Sequence, residues 1–324
     1  MYTYEDLREI VNKAVQNMSY DYESGRLFEP VKYLMAMGGK RIRPVMVLMA
    51  CNLYDNKIEK AIRPALGMEV LHNFTLVHDD IMDRSEMRRG SPTVHNKWDV
   101  NQAILSGDVM AFIANECIME APAPVLTQVM KIYNRTAIDV CMGQQLDIDF
   151  EKKSFVSHAE YLHMIELKTA VMIASSLQIG AVIGNADSAD AEKMYNFGRN
   201  LGLAFQIQDD LLDTYGDQQV FGKKTGTDIV SNKKTILLVK ALEMASGKQL
   251  EALNEQLNLE IFDPGEKIAA VKGIFNNLNI KPVVEDMARQ YTDLAYSSID
   301  DVNVEKERKE ELIKLAANLL NRTQ

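Results

Sequence analysis

Basic residues are in deficit in this chain of 324 residues, where 36 Lys and Arg stand against 46 Asp and Glu for a formal charge of −10. A protein that binds nucleic acid or an anionic membrane draws its affinity from neutralising phosphates, so this balance excludes both as partners of the chain at large. An anionic ligand must instead meet a local basic cluster or metal ions. Cysteine is scarce too. Cys51, Cys117 and Cys141 are odd in number, far apart and set among apolar residues, which excludes a disulfide framework and predicts reduced core thiols in a cytoplasmic protein. Long apolar runs are missing: no stretch reaches eighteen uninterrupted apolar residues, so no transmembrane segment is expected. The opening MYTYEDLREIVNKAV is acidic where a secretory leader is basic and apolar. Neither a solenoid period nor a low-complexity tract occurs, and no Ser–His or Cys–His constellation presents itself as a nucleophilic site.

What is present is helical. Hydrophobic residues make up 47% of the chain, ample for a sizeable core. They recur at helical spacing, as in Leu66, Val70, Phe74 and Val77, or Leu201, Phe205, Gln208 and Leu212 with their apolar neighbours. The breakers between such segments are short: MGGKRIRP, APAP, GNADSAD, YGDQQVFGKKTG and DPG. None makes an interdomain linker. The pattern predicts an all-α fold, one domain over residues 1–324 with roughly ten or more helices, and the 18 methionines suit the filling of its core.

Two aspartate clusters break the apolar pattern. LVHDDIMDRSEMRRG carries Asp79, Asp80 and Asp83, and FQIQDDLLD repeats the spacing with Asp209, Asp210 and Asp213. On a helix, residues four apart share a face, so the outer aspartates of each cluster stack one above the other. Two carboxylates about 6 Å apart repel by roughly 3 kcal/mol at an effective dielectric near 20, a cost that demands a cation. Carboxylates without nearby histidine or cysteine ligands are hard donors that suit Mg²⁺. Since Mg²⁺ keeps waters and takes one or two carboxylates with substrate phosphates, the pattern implies a phosphorylated ligand. His78 and His95 near the first cluster read as structural or hydrogen-bonding residues.

Cationic side chains answer these aspartates at what read as breaks between helices: Lys40, Arg41 and Arg43 in GGKRIRP, Arg88 and Arg89 in RRG, Lys168 in ELKTA, and Lys223, Lys224, Lys233 and Lys234 in GKKTGTDIVSNKKT. Glycine-flanked arginine and lysine at a helix end make a diphosphate clamp, because the guanidinium fork binds two oxygens at once. Together the charges point to two anionic groups, one held mainly through metal and the other mainly by arginine and lysine.

With GGKRIRP, LHNFTLVHDDIMDRSEMRRG, SGD at 106–108, GQQLD at 143–147, LKT at 167–169, FQIQDDLLD and GTDIVSNKKT in this order and spacing, the chain resembles the trans-isoprenyl diphosphate synthases, the polyprenyl synthetase family, over essentially its whole length. The resemblance implies the isoprenoid synthase fold, a single helical bundle around a central cavity, and a homodimer. It implies head-to-tail condensation of isopentenyl diphosphate with allylic diphosphates. It places Asp79, Asp80, Asp83, Asp209, Asp210 and Asp213 on Mg²⁺ ions, three per active site, that bridge the allylic diphosphate. Arg88, Lys168, Lys233 and one of Lys223 and Lys224 would contact that diphosphate. Lys40, Arg43, His72 and Arg89 would bind isopentenyl diphosphate, and Thr169 and Gln206 would line the reacting centre.

If the growing tail runs back along the first aspartate helix, Phe74, five positions before Asp79 and about 7.5 Å along the axis, acts as a floor, with Thr75 and Leu71 lining it. In the family such an arrangement looks like a synthase of a C20 product, geranylgeranyl diphosphate, with C15 farnesyl diphosphate as the alternative. A terpene cyclase would share the fold but alter the second cluster, and a non-catalytic subunit of a heteromeric synthase would have degraded aspartates; a cation-storage protein would leave the basic clamps unexplained.

Overall fold

The computed structural model describes residues 1–20, 25–216 and 225–321; Lys223 and Lys224 lie outside them. Helices dominate, as the apolar periodicity predicts, and the β structure among the described residues is one hairpin of two-residue strands. The chain packs as two compact units, each discontinuous in sequence. One comprises Met1–Ala137, Met172–Tyr195 and Asp301–Leu315; the other comprises Ile138–Val171, Asn196–Asp300 and the chain from Ala316 onward.

The first unit begins with α1 (Tyr4–Gln16), α2 (Gly25–Ala36), α3 (Ile42–Tyr54), α4 (Glu59–Met82), α5 (Val94–Lys97) and α6 (Val100–Met119), and is organised around α4, packed against α6 and α3. Helix α3 is apolar nearly all round, and Val45 to Leu53 are buried without a break, which marks a central helix rather than an amphipathic surface one. Two glycines set how closely the helices approach. A Cβ at Gly67 of α4 would stand 2.9 Å from the Ala114 carbonyl oxygen of α6, and one at Gly180 would stand 2.1 Å from the Val47 carbonyl oxygen of α3. Because a backbone atom cannot step aside, Gly180→Ala is expected to destabilise the protein by about 3 kcal/mol, read as a lower urea midpoint; an unchanged midpoint would mean the helices are not held at this distance. Met46, Met68, Met110 and Met194 are buried in this core, as expected.

The second unit gathers Phe150, Tyr161, Ile207, Leu237, Phe275, Ile280 and Val284 into one apolar cluster. A continuous helical run, His158–Ile183, opens on a capping box at Ser157 and Glu160. It has the length and composition to cross a bilayer, yet 78% of its apolar window is buried inside the protein, where Glu166 and Lys168 interrupt it. Lys168 therefore does not stand at a break between helices: Glu166–Ala170 is a π-helical turn inside the run. One extra residue in the turn swings the following side chains off the α-helical register, a feature that recurs at functional sites. Cys51 and Cys117 are buried free thiols, but Cys141 is exposed, contrary to its apolar sequence surroundings; it falls on the outer face of its helix.

Candidate active site

The first aspartate cluster sits at the C-terminal end of α4. The Asp83 amide closes the helix by donating to the Asp79 carbonyl at 2.8 Å. A helix C-terminus carries partial negative charge, so three carboxylates there compound the cost and sharpen the need for cations. One comes from the hairpin Met87–Arg88 and Ser91–Pro92. Its two-residue loop, Arg89–Gly90, has φ of +52° and +76°, the doubly left-handed turn that matches the twist of paired strands. The turn parts the adjacent arginines. Arg88 forks onto Asp80, its Nε at 2.9 and 2.8 Å from the two carboxylate oxygens and its Nη2 at 2.7 Å. Burial works against the Arg88 charge, but this pairing prevails and raises its pKa. Arg89 instead donates to the Gly38 carbonyl.

That carbonyl belongs to the GGKRIRP loop, which turns through φ of +71° at Gly38, +139° at Gly39 and +51° at Arg41. Arg41 is 5% exposed and does not face a ligand. It ties the loop down by donating to Glu69 and to the Met35 carbonyl, while the Tyr4 hydroxyl donates to the Lys40 carbonyl. Lys40 is left exposed. Arg43 has a buried Nε with no hydrogen-bond partner, and burial lowers its pKa to about 10. His72 is held well below the usual imidazole range by burial and by the fields of Arg43, Arg89, Arg88 and Arg41, so it is neutral at pH 7. A neutral imidazole among arginines, with an orphaned guanidinium N–H, is a group of donors suited to an anion. It unites three of the four residues expected to bind isopentenyl diphosphate. Along α4, Phe74 and Thr75 are half-buried, the Thr75 hydroxyl donates to the His72 carbonyl at 2.8 Å, and Leu71, at 1% exposure, belongs to the core.

In the second unit one pocket brings together Lys168, Thr169, Gln206, Asp210 and Lys233, all named from the sequence. Lys168 pairs with Asp147 at 2.6 Å. The π turn that presents it packs on Gly143, where a Cβ would stand 2.3 Å from the Lys168 amide nitrogen, which explains the glycine of GQQLD. Thr169 donates to Gln206, and Gln206 donates in turn to Asp210 at 3.1 Å.

The six aspartates are not equivalent. Asp80 and Asp210 are 2% and 4% exposed. Asp210 accepts from the Tyr161 hydroxyl at 2.5 Å and the Ile236 amide at 3.0 Å; burial raises its pKa against the pull of these donors. Asp213 accepts from the Thr227 hydroxyl and the Asp228 amide. Asp83 and Asp209 are exposed, and Asp79 is half-buried. Among the described residues no three His, Cys, Asp or Glu side chains form a ready metal cage. The carboxylates are hard oxygen donors that fit Mg²⁺, which takes water and phosphate oxygens beside them.

Three contributors escape a reading of the sequence. Asp147 and Asp228 lie inside recognisable motifs, and burial, against Lys233, pushes the Asp228 carboxyl up to about 7. Tyr161 carries no local signal at all.

The polyprenyl synthetase family model matches residues 24–275. The chain is 34% identical over 326 residues, 98% of both proteins, to a geranylgeranyl pyrophosphate synthase of Geoglobus acetivorans. It is 38% identical over 253 residues, 72% of this chain and 74% of the relative, to a geranylfarnesyl diphosphate synthase of Natronomonas pharaonis. A crystal structure of a geranylgeranyl pyrophosphate synthase matches with a TM-score of 0.95 at 39% identity, covering 100% of both chains. Another, from Corynebacterium glutamicum and complexed with isoprenyl diphosphate and magnesium, matches at 0.86 and 27% identity over 98% of each. The chain belongs to the polyprenyl synthetase family and is a prenyltransferase.

Proposed function

We propose that this protein is a geranylgeranyl diphosphate synthase, which extends allylic diphosphates head-to-tail with isopentenyl diphosphate to a C20 product. The observation that carries the reading is the division of labour between the charges. Aspartates at the ends of two helices call for metal, while Arg43, His72 and Arg89 offer donors that suit an anion without metal. Mg²⁺, three ions per active site, would supply charge stabilisation to the departing diphosphate. Asp79, Asp83, Asp209 and Asp213, none of them fully buried, are the carboxylates that would hold it; Asp80 and Asp210 hold their neighbours in place.

The allylic C–O bond breaks and the diphosphate leaves with its electron pair, its charge met by Lys168 and Lys233. The isopentenyl double bond attacks the resulting cation, a C–C bond forms, and a proton lost to the departed diphosphate restores an alkene. Arg43, Arg89 and Lys40 hold isopentenyl diphosphate, and neutral His72 donates to it without adding charge. An apolar, water-excluding cavity would protect the cation from quenching.

Incubation with labelled isopentenyl diphosphate and each allylic primer, followed by mass spectrometry, tests the reading. A C20 end product supports it, and C15 would turn it to the farnesyl alternative. Failure to incorporate the isopentenyl label would indicate a cyclase, and inactivity of the purified chain alone a subunit that needs a partner.

The homodimer is proposed through α6, which carries an exposed apolar stripe of Val100, Ile104, Leu105, Phe112 and Met119, with Phe112 72% exposed. A self-complementary face counts each side chain twice. Burying one phenylalanine contributes about 1.5–3 kcal/mol, so Phe112→Asp is expected to convert a dimer into a monomer in light scattering. A mass unchanged from the wild type would place the contact elsewhere.

A further inference from the structure

Phe74 does not stand alone on α4. One turn on, His78 meets it edge to face, with ring centroids 4.9 Å apart and planes at 68°. The far side of the imidazole runs into α6. Its Nε2 lies 3.3 Å from the Ile104 carbonyl oxygen, which makes it the protonated nitrogen, and 3.9 Å from the Asp108 carboxylate. The wall it meets there is Gly107, where a Cβ would stand 2.3 Å from Nε2 and 2.6 Å from Cδ2. No side chain other than hydrogen leaves room for the ring. The glycine of SGD and the histidine preceding the aspartates, neither of which the proposed chemistry uses, therefore form one device: a slot in α6 and the ring that fills it.

We propose that His78 is a positioning residue that holds the Phe74 ring in one orientation and thereby sharpens product length, with Gly107 as the residue that admits it. The inference rests on the reading of Phe74 as the floor of the product cavity. A phenylalanine on a helix has two accessible χ1 wells, and an edge-to-face partner biases the choice by about 2- to 10-fold. Without that partner the floor swings, and a fraction of chains grows past C20.

The experiment compares product distributions, per isopentenyl unit incorporated, for wild type, His78→Ala, His78→Phe, Phe74→Ala and the double variant Phe74→Ala/His78→Ala. Products longer than the wild type's are expected to rise several-fold in His78→Ala. They should return to the wild-type share in His78→Phe, which keeps an aromatic edge, and the double variant should match Phe74→Ala, because a positioning residue has nothing left to position. Loss of stability alone lowers the amount of product without moving its length. If Phe74→Ala lengthens the product while His78→Ala does not, or if the two effects add, the positioning role is overturned and the floor stands. If Phe74→Ala leaves the product unchanged, the floor reading falls and this inference with it. Gly107→Ala, which evicts the ring from its slot, should reproduce His78→Ala; a wild-type distribution from folded Gly107→Ala also counts against the proposal.

Discussion

Asp79→Ala and Asp209→Ala are expected to lower prenyl transfer by about three orders of magnitude while the fold survives, since metal-borne stabilisation of a leaving group is worth about 4 kcal/mol and each 1.4 kcal/mol is tenfold. The neighbouring aspartates behave differently. Asp80→Ala strands the Arg88 guanidinium, whose side chain is 26% exposed, so solvent softens the loss to about 1–3 kcal/mol of stability. Asp210→Ala strands the Tyr161 hydroxyl and the Ile236 amide, both fully enclosed donors, at about 1–3 kcal/mol each. Urea denaturation compares the two pairs: Asp80→Ala and Asp210→Ala, which remove buried carboxylates, should lower the midpoint more than the outer pair, Asp79→Ala and Asp209→Ala. Titration of activity with Mg²⁺ adds a second axis, along which only the outer variants need more metal. Near-normal turnover in Asp79→Ala would sink the metal assignment.

Phe74→Ala is expected to shift the end product upward by at least one C5 unit. Phe74 stands about 7.5 Å below Asp79, and the next turn of α4 lies about 5.4 Å further down. Removing the ring opens about that depth before the tail reaches the level of Leu71, a residue already committed to the core at 1% exposure. Thr75 adds no second floor, because it is small and its hydroxyl is turned back to the His72 carbonyl. Mass spectrometry of products primed with farnesyl diphosphate reads the outcome. An unchanged C20 product would put the floor on another helix and remove the structural basis for choosing C20 over C15.

The helices were legible because burial imposes a period of 3.6 on any chain that must hide one face. The two aspartate clusters were legible because their spacing repeats where apolar residues are expected. Less legible was what each aspartate does. Asp79 and Asp80 are adjacent and chemically identical, yet one remains half-exposed and the other is buried against Arg88. Asp210 is separated from Tyr161 by 49 positions, so no local pattern could announce their bond. Likewise the π turn that carries Lys168 packs on Gly143, a contact between distant segments. Cys141 read as a core thiol because its sequence neighbours are apolar, but exposure follows the direction of one Cβ rather than the average of its surroundings.

The sequence by itself determined an all-α fold and membership in a family of prenyltransferases, and it pointed to a hard-metal site of aspartates and a separate basic clamp, since those readings follow from periodicity, charge and the spacing of motifs along one chain. Only the tertiary structure decided which aspartates are buried and which stay accessible, that Arg41 ties down its own loop, and that Phe74 leans on a His78 ring seated against Gly107. Each of those is a choice of partner made across the fold, where direction and burial set the energy of a side chain and proximity in sequence does not.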